Sequence, residues 1–349
     1  MNMKKSLIAL AVAGAFVAPV AMAEEATVYG QMHLSVDHVK SGGSPSTKSN
    51  QLNSNRSRLG FKGAEDLGGG LSAIWQIESL IDADDGATGT MLGTRNTFLG
   101  LKSDSMGTIL AGRHDTPYKI ATRKLDVFAN TVADNRDSNG MGAGHDVRLG
   151  NSLVYMSPDM GGASIAASTV FGAENANGLK KGSALSLAAM FNMDQIYATV
   201  AYQNFKAGDI GTGDLGAGGT ILPGTAPGDK DTAMKVGGGF NMDVFAINAV
   251  IERLTEKAVA GGDTKNTNMY VGGKFNISPS DAVKVAYTKG GNSKSNTGTT
   301  IDGIKQMSVG FDHNMSANTT VYALFTKIKT NDTAVADPSI ISAGMKHSF

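Results

Sequence analysis

Thr27-Val28-Tyr29-Gly30-Gln31-Met32-His33-Leu34-Ser35-Val36-Asp37 alternates in polarity along its length. Val28, Gly30, Met32, Leu34 and Val36 fall on one face of an extended chain, and Thr27, Gln31, His33, Ser35 and Asp37 on the other. Successive side chains of a strand point to opposite sides, so this period of two predicts a strand with one apolar face. The pattern returns throughout the chain. Leu59 and Phe61 oppose Arg56, Arg58 and Lys62; Ile196, Ala198, Val200 and Tyr202 share a face; Val283, Val285 and Tyr287 flank Lys284. Helix-type spacing at i, i+3, i+4 is sustained nowhere after residue 26.

The breaks between these segments come in two sizes. Short turns sit at Glu65–Gly68, Ser103–Ser105, Pro158–Gly161, Met193–Asp194, Met242–Asp243, Ser278–Asp281 and Met315–Asn318. Longer polar stretches, such as Ser41–Asn50, Lys206–Lys230, Gly291–Asp302 and Thr330–Asp337, separate the hairpins. Seven short turns and eight longer loops join sixteen strands. An even strand count with short turns on one side and long loops on the other is the pattern of an outer-membrane barrel. Phe191-Asn192-Met193-Asp194, Phe240-Asn241-Met242-Asp243, Phe275-Asn276-Ile277-Ser278 and Phe311-Asp312-His313-Asn314 each end a strand before a short turn, and Phe349 ends the chain. Aromatic rings favour the membrane–water boundary, so these phenylalanines predict a girdle at one height.

Composition excludes other classes. With 31 basic and 31 acidic residues the chain lacks the cationic excess of a nucleic-acid binder. It has no cysteine, hence neither disulfides nor thiol chemistry. Hydrophobic residues make up 41%, and no stretch after the leader reaches the roughly 18 apolar residues a membrane helix needs. The start differs from the rest: Lys4 and Lys5, the apolar run Leu7–Val20 and Ala21-Met22-Ala23 form a secretory leader with a small-x-small cleavage site. Residues 1–23 are expected to be removed, leaving a mature barrel of residues 24–349 with a net charge of −2.

An amphipathic sheet with its apolar face in lipid must satisfy every backbone N–H and C=O internally, and only a closed barrel does so. The expected fold is therefore all-β, a 16-stranded antiparallel transmembrane β-barrel, wide enough for an aqueous channel. A soluble sandwich or propeller would bury these faces in protein, with no reason for the phenylalanine row. The six histidines form no metal-ligating or hydrolase motif. Gly237-Gly238-Gly239 precedes no helix that could cradle a phosphate. No enzyme activity, cofactor or metal is expected. The acidic run Asp82–Gly86 misses the spacing of a calcium loop.

Several longer strings carry a family resemblance. Ser57-Arg58-Leu59-Gly60-Phe61-Lys62-Gly63-Ala64-Glu65-Asp66-Leu67-Gly68, Phe98-Leu99-Gly100-Leu101, Gly112-Arg113-His114-Asp115-Thr116-Pro117 and Asn151-Ser152-Leu153-Val154-Tyr155-Met156-Ser157-Pro158 resemble the general diffusion porins of Gram-negative bacteria, in the neisserial branch. The likeness spans the mature chain. It implies a homotrimer in the outer membrane, in contact with lipids including lipopolysaccharide and passing ions and small hydrophilic solutes. It also implies that the third outer loop, Thr116–Val147, folds inward as a constriction, that the second loop around Asp82–Gly86 latches a neighbouring subunit, and that Phe349 is read as an assembly signal. Asp126, Asp134 and Asp137 are the acids that loop would present, with Arg136 among them. Opposite them the resemblance and strand parity place a basic wall of Arg56, Arg58, Lys62, Arg95, Arg113 and Arg148. Guanidiniums facing carboxylates would set up a transverse field, and the surplus predicts mild anion preference. Each arginine could instead pair with a turn carboxylate such as Glu65 or Asp66. A solute-specific channel of the same fold, or a plugged adhesin or structural barrel, are the alternatives.

Overall fold

In the computed structural model, polar side chains of the first strand are buried and apolar ones exposed, the reverse of a soluble protein. Gln31, His33, Ser35 and Asp37 are all under 10% exposed, whereas Val28 and Val36 exceed 50%. The structure describes residues 26–42, 45–86, 92–136, 140–142, 144–171, 182–207, 228–258, 262–295, 300–301, 303–330 and 337–349. The leader expected at residues 1–23 and Asp137 lie outside them.

Sixteen barrel strands follow in chain order. They are β1 (Thr27–Lys40), β2 (Lys48–Ser54 and Arg58–Gly68), β3 (Leu71–Leu80), β4 (Thr97–Ser103), β5 (Gly107–Asp115), β6 (Arg148–Met156), β7 (Ala163–Val170) and β8 (Ser183–Met193). The second half comprises β9 (Ile196–Lys206), β10 (Lys230–Asn241), β11 (Phe245–Ala258), β12 (Gly262–Asn276), β13 (Asp281–Lys289), β14 (Ile304–Asn314), β15 (Thr319–Thr330) and β16 (Ser339–Ser348). Ser293–Ser295 and Thr300–Ile301 form a small extra hairpin in the outer loop after β13. Each strand pairs antiparallel with the next, and β1 pairs with β16 from Gln31↔Ser348 to Lys40↔Ser339, which closes the sheet. Closure leaves no ladder edge in the hydrocarbon.

The exterior alternation matches its lipid setting. Phe275 is register partner to Phe245 and Val283, and Val283 to Phe311, so these rings stand at one height on the outer face. Phe349 completes the seam. Its backbone exchanges hydrogen bonds of 2.9 and 3.1 Å with Gly30, and its ring fills the space above that glycine, where a Cβ would come within 2.5 Å.

The break in β2 corrects one expectation. Both of its segments pair with β1, but Asn55–Ser57 interrupt them, and Arg56 adopts a left-handed φ of 62°. Strand parity does not survive such an interruption. Arg56 is therefore an exposed residue at the kink and not a regular rung of the inner wall.

Candidate functional site

The described residues of the segment between β5 and β6 run inside the barrel. Its first turn is a short helix, α1 (Pro117–Thr122), with Pro117 at the first helical position and Thr116 capping it by accepting from the Lys119 N–H. A 3-10 turn, Arg123–Leu125, follows. The loop rests on inward-facing residues of β8 to β15. The Tyr118 N–H donates to Ser186 Oγ at 2.9 Å, and the Tyr197 hydroxyl to the Ala121 carbonyl at 2.5 Å. The Val127 N–H donates to the Tyr270 hydroxyl at 2.9 Å.

One carboxylate holds both arms of the loop. Glu252 of β11 accepts from the Tyr118 hydroxyl at 2.5 Å, the Gly142 N–H at 2.7 Å and Asn268 Nδ2 at 2.8 Å. Beside it Lys235 of β10 pairs with Asp146 at 2.6 Å and lies 3.9 Å from the centre of the Tyr118 ring. His145 stacks on Phe205, and Gln203 Nε2 donates to its carbonyl at 2.8 Å. Burial pulls the His145 imidazole down to about 4, so it is neutral at pH 7. Glu252, Lys235, Gln203 and Asn268 are thus inward polar residues that meet the loop and not open water.

Basic residues gather on the other side around two buried carboxylates. Glu78 of β3 holds Arg95 at 2.5 Å, Arg58 at 3.9 Å and the Tyr29 hydroxyl at 3.1 Å. Asp115, at the end of β5, holds Arg148 at 2.9 Å, Lys119 at 3.0 Å and Arg123 at 3.4 Å. Arg113 sits at the β-bulge between Gly112 and His114 and donates to the Thr94 carbonyl at 3.1 Å, in the segment that carries Arg95. Lys62 is exposed on β2, with Nζ 5.2 Å from the centre of the Tyr29 ring. The partners of Arg58, Arg95 and Arg148 are Glu78 and Asp115, not the turn residues Glu65 and Asp66.

The loop acids differ from expectation. Asp134 is buried, and its two oxygens take the guanidinium of Arg136 at 2.8 and 2.6 Å, so it does not face the lumen. Asp126 is half-buried and accepts from the Phe128 N–H, the Asn135 N–H and the Tyr270 hydroxyl. Residues only two apart can pair when a tight loop folds back on itself, which charge spacing alone does not reveal. The exposed ions at the start of the loop are cations, Arg123 and Lys124.

Burial, with the Asp134 charge second, raises the Asp126 carboxyl from 3.8 to about 6. The docked loop therefore holds this proton more tightly than a free aspartate does. Docking is favoured below the free value, and that contribution is lost as pH rises through about 6. Acidifying from pH 7 to 5 also removes one negative charge, so anion preference should increase. Reversal potentials at the two pH values check this, and the shift should be smaller in Asp126→Asn.

The family described as Gram-negative porin matches residues 9–333. The chain belongs to the Gram-negative porin family. Outer membrane porin protein 32 of Delftia acidovorans is 28% identical over 343 residues, covering 95% of this chain and 91% of that one. The major outer membrane protein P.IB of Neisseria gonorrhoeae is 41% identical over 132 residues, 36% of each chain. The anion-selective porin from Comamonas acidovorans shares the fold with a TM-score of 0.75 at 20% identity, covering 93% of this chain and all of that one. This porin is thus an outer-membrane β-barrel channel for passive diffusion.

Parity exposes Glu78, Lys235 and Glu252 as inward charges, but nothing local in the sequence says that a remote loop will cover the last two. Asp115, Lys119 and Arg123 stand in or beside the motif Gly112–Pro117, and their i, i+4 and i, i+8 spacing around Asp115 was the available signal. In the second outer loop, Asp84 accepts from the Ser54 N–H at 3.0 Å, which ties that loop to β2 of its own barrel.

Proposed function

We propose that this porin is a trimeric, anion-preferring channel for ions and small hydrophilic solutes, narrowest between the Thr116–Val147 loop and the basic wall of β2 to β6. One observation carries this reading: around Glu78 and Asp115 the cations Arg58, Arg95, Lys119, Arg123 and Arg148 outnumber the carboxylates. Arg113 adds to them, and Asp134 is spent on Arg136. A surplus of fixed positive charge beside a low-dielectric wall raises the local anion concentration. The anion selectivity of the Comamonas porin agrees with it.

The leader at residues 1–23 delivers the chain for export, and the trimer sits among lipopolysaccharide, as the family resemblance implies. Phe349 serves as the assembly signal; its deletion should strongly reduce folded trimer in the outer membrane, and wild-type yield of heat-modifiable trimer would count against that role. Planar-bilayer recording tests the whole reading. Conductance steps grouped in threes support the trimer, whereas block of the current at low concentration by one solute would favour a specific channel.

A further inference from the structure

We propose that three inward-facing glycines of the barrel wall, Gly237, Gly239 and Gly310, are sockets that set how close the loop lies to the wall, and thereby the size limit for solutes. The inference rests on the reading that this loop narrows the channel.

Alternation along β10 places Asp231, Ala233 and Lys235 inward, and the next two inward positions are Gly237 and Gly239. On β14 Gly310 stands in the inward series Gln306, Ser308, Gly310, Asp312. Two apolar side chains of the loop fill these places. Leu125, 1% exposed, lies so that a Cβ on Gly237 would stand 2.7 Å from its Cδ1. One on Gly239 would meet Oδ1 of the wall residue Asn248 first, and stand 3.1 Å from Leu125 Cδ2. Phe128, fully buried, would meet a Cβ on Gly310 at 2.8 Å. These separations are shorter than the roughly 3.5–4.0 Å of carbon–carbon contact, so no methyl fits under either knob.

Between the two knobs Tyr270 fixes the backbone by accepting from the Val127 N–H, and its ring in turn lies over Gly272. Leu125 and Phe128 thus reach down to wall glycines between side chains that hem them in, Tyr197, Val250 and Tyr270 about Leu125 and Leu324 about Phe128. With these neighbours filling the space beside each knob, an added methyl has to displace the knob and the loop backbone that carries it. A lifted loop moves toward Arg58, Arg95 and Arg148, and the lumen between them shrinks.

Single-channel conductance and exclusion of graded polyethylene glycols read the lumen directly. Gly237→Ala and Gly310→Ala should each lower conductance by roughly a third and exclude a smaller polymer. Trimming the matching knob, Gly237→Ala with Leu125→Ala or Gly310→Ala with Phe128→Ala, should restore the wild-type limit. General destabilisation would not produce that restoration. Leu125→Trp, which alters only the loop, should narrow the pore in the same way and carries the test if the glycine variants fail to assemble. An unchanged or enlarged pore in assembled glycine variants, or in Leu125→Trp, overturns the proposal. A variant with residues 118–145 replaced by a short linker separates the two readings. If it widens the pore while the glycine variants change nothing, only the sockets are wrong; if it does not widen the pore, the constriction reading fails and the sockets with it.

Discussion

Replacing Arg58, Arg113 and Arg123 together by glutamine lowers the anion-to-cation permeability ratio by about tenfold. These three are chosen because the buried carboxylates keep partners without them. Glu78 retains Arg95 at 2.5 Å, and Asp115 retains Arg148 at 2.9 Å and Lys119 at 3.0 Å. Arg58 sits 3.9 Å from Glu78, and Arg123 reaches Asp115 only at 3.4 Å with its side chain 43% exposed. The substitution therefore removes field without stranding a buried charge. A unit charge about 8 Å away shifts a passing anion and a passing cation in opposite senses by on the order of 0.5 kcal/mol each in unscreened water. Screening at about 0.1 M roughly halves this, so three such charges change the ratio by about tenfold. The effect belongs to low salt, since screening shortens from about 10 Å at 0.1 M to about 3 Å at 1 M. Reversal potentials of the variant at both ionic strengths check the prediction. A ratio equal to the wild type at 0.1 M would remove these residues from the selectivity mechanism.

Glu252→Ala is the second large perturbation. The loop contributes two of the three donors on this carboxylate, Tyr118 Oη and Gly142 N, and the wall contributes Asn268 Nδ2. Truncation removes this acceptor from the buried Tyr118 hydroxyl and Gly142 N–H, while Asn268 Nδ2 keeps the Gly140 carbonyl at 3.2 Å, and Lys235 loses a nearby negative charge. Removing one member of such a network costs about 3 kcal/mol. The barrel survives, because Glu252 pairs with Lys235 and Asn268 across the ladder through backbone atoms that the substitution leaves in place. The loop is expected to leave the wall intermittently. A quiet open level should give way to flicker between levels, and protease should cut within residues 116–147 of folded trimers while the wild type resists. A quiet trace and an intact loop would show that the remaining loop–wall contacts suffice without this carboxylate.

Much of this architecture was legible in single residues. The alternation from Thr27 to Asp37 sufficed to predict an inside-out strand, because a period of two reports backbone geometry whatever lies on each side. The same reasoning failed at Arg56, where the left-handed kink at Asn55–Ser57 breaks the count. Charge along the loop was visible, but its partners were not. Asp134 is neutralised by a residue two places on, and Asp146 by Lys235 from a strand far along the chain. Gly237-Gly238-Gly239 could be excluded as a phosphate cradle for want of a following helix, yet its use depends on Leu125, more than 100 residues earlier. Long-range contacts of this kind leave no local period to read.

In the proposed channel, fixed positive charge governs passage through a passive, water-filled barrel. The reversal potential of the reconstituted wild-type porin across a tenfold potassium chloride gradient tests it most directly. The sign set by chloride, in channels that open in groups of three, is the predicted result. A potential of the potassium sign would contradict it.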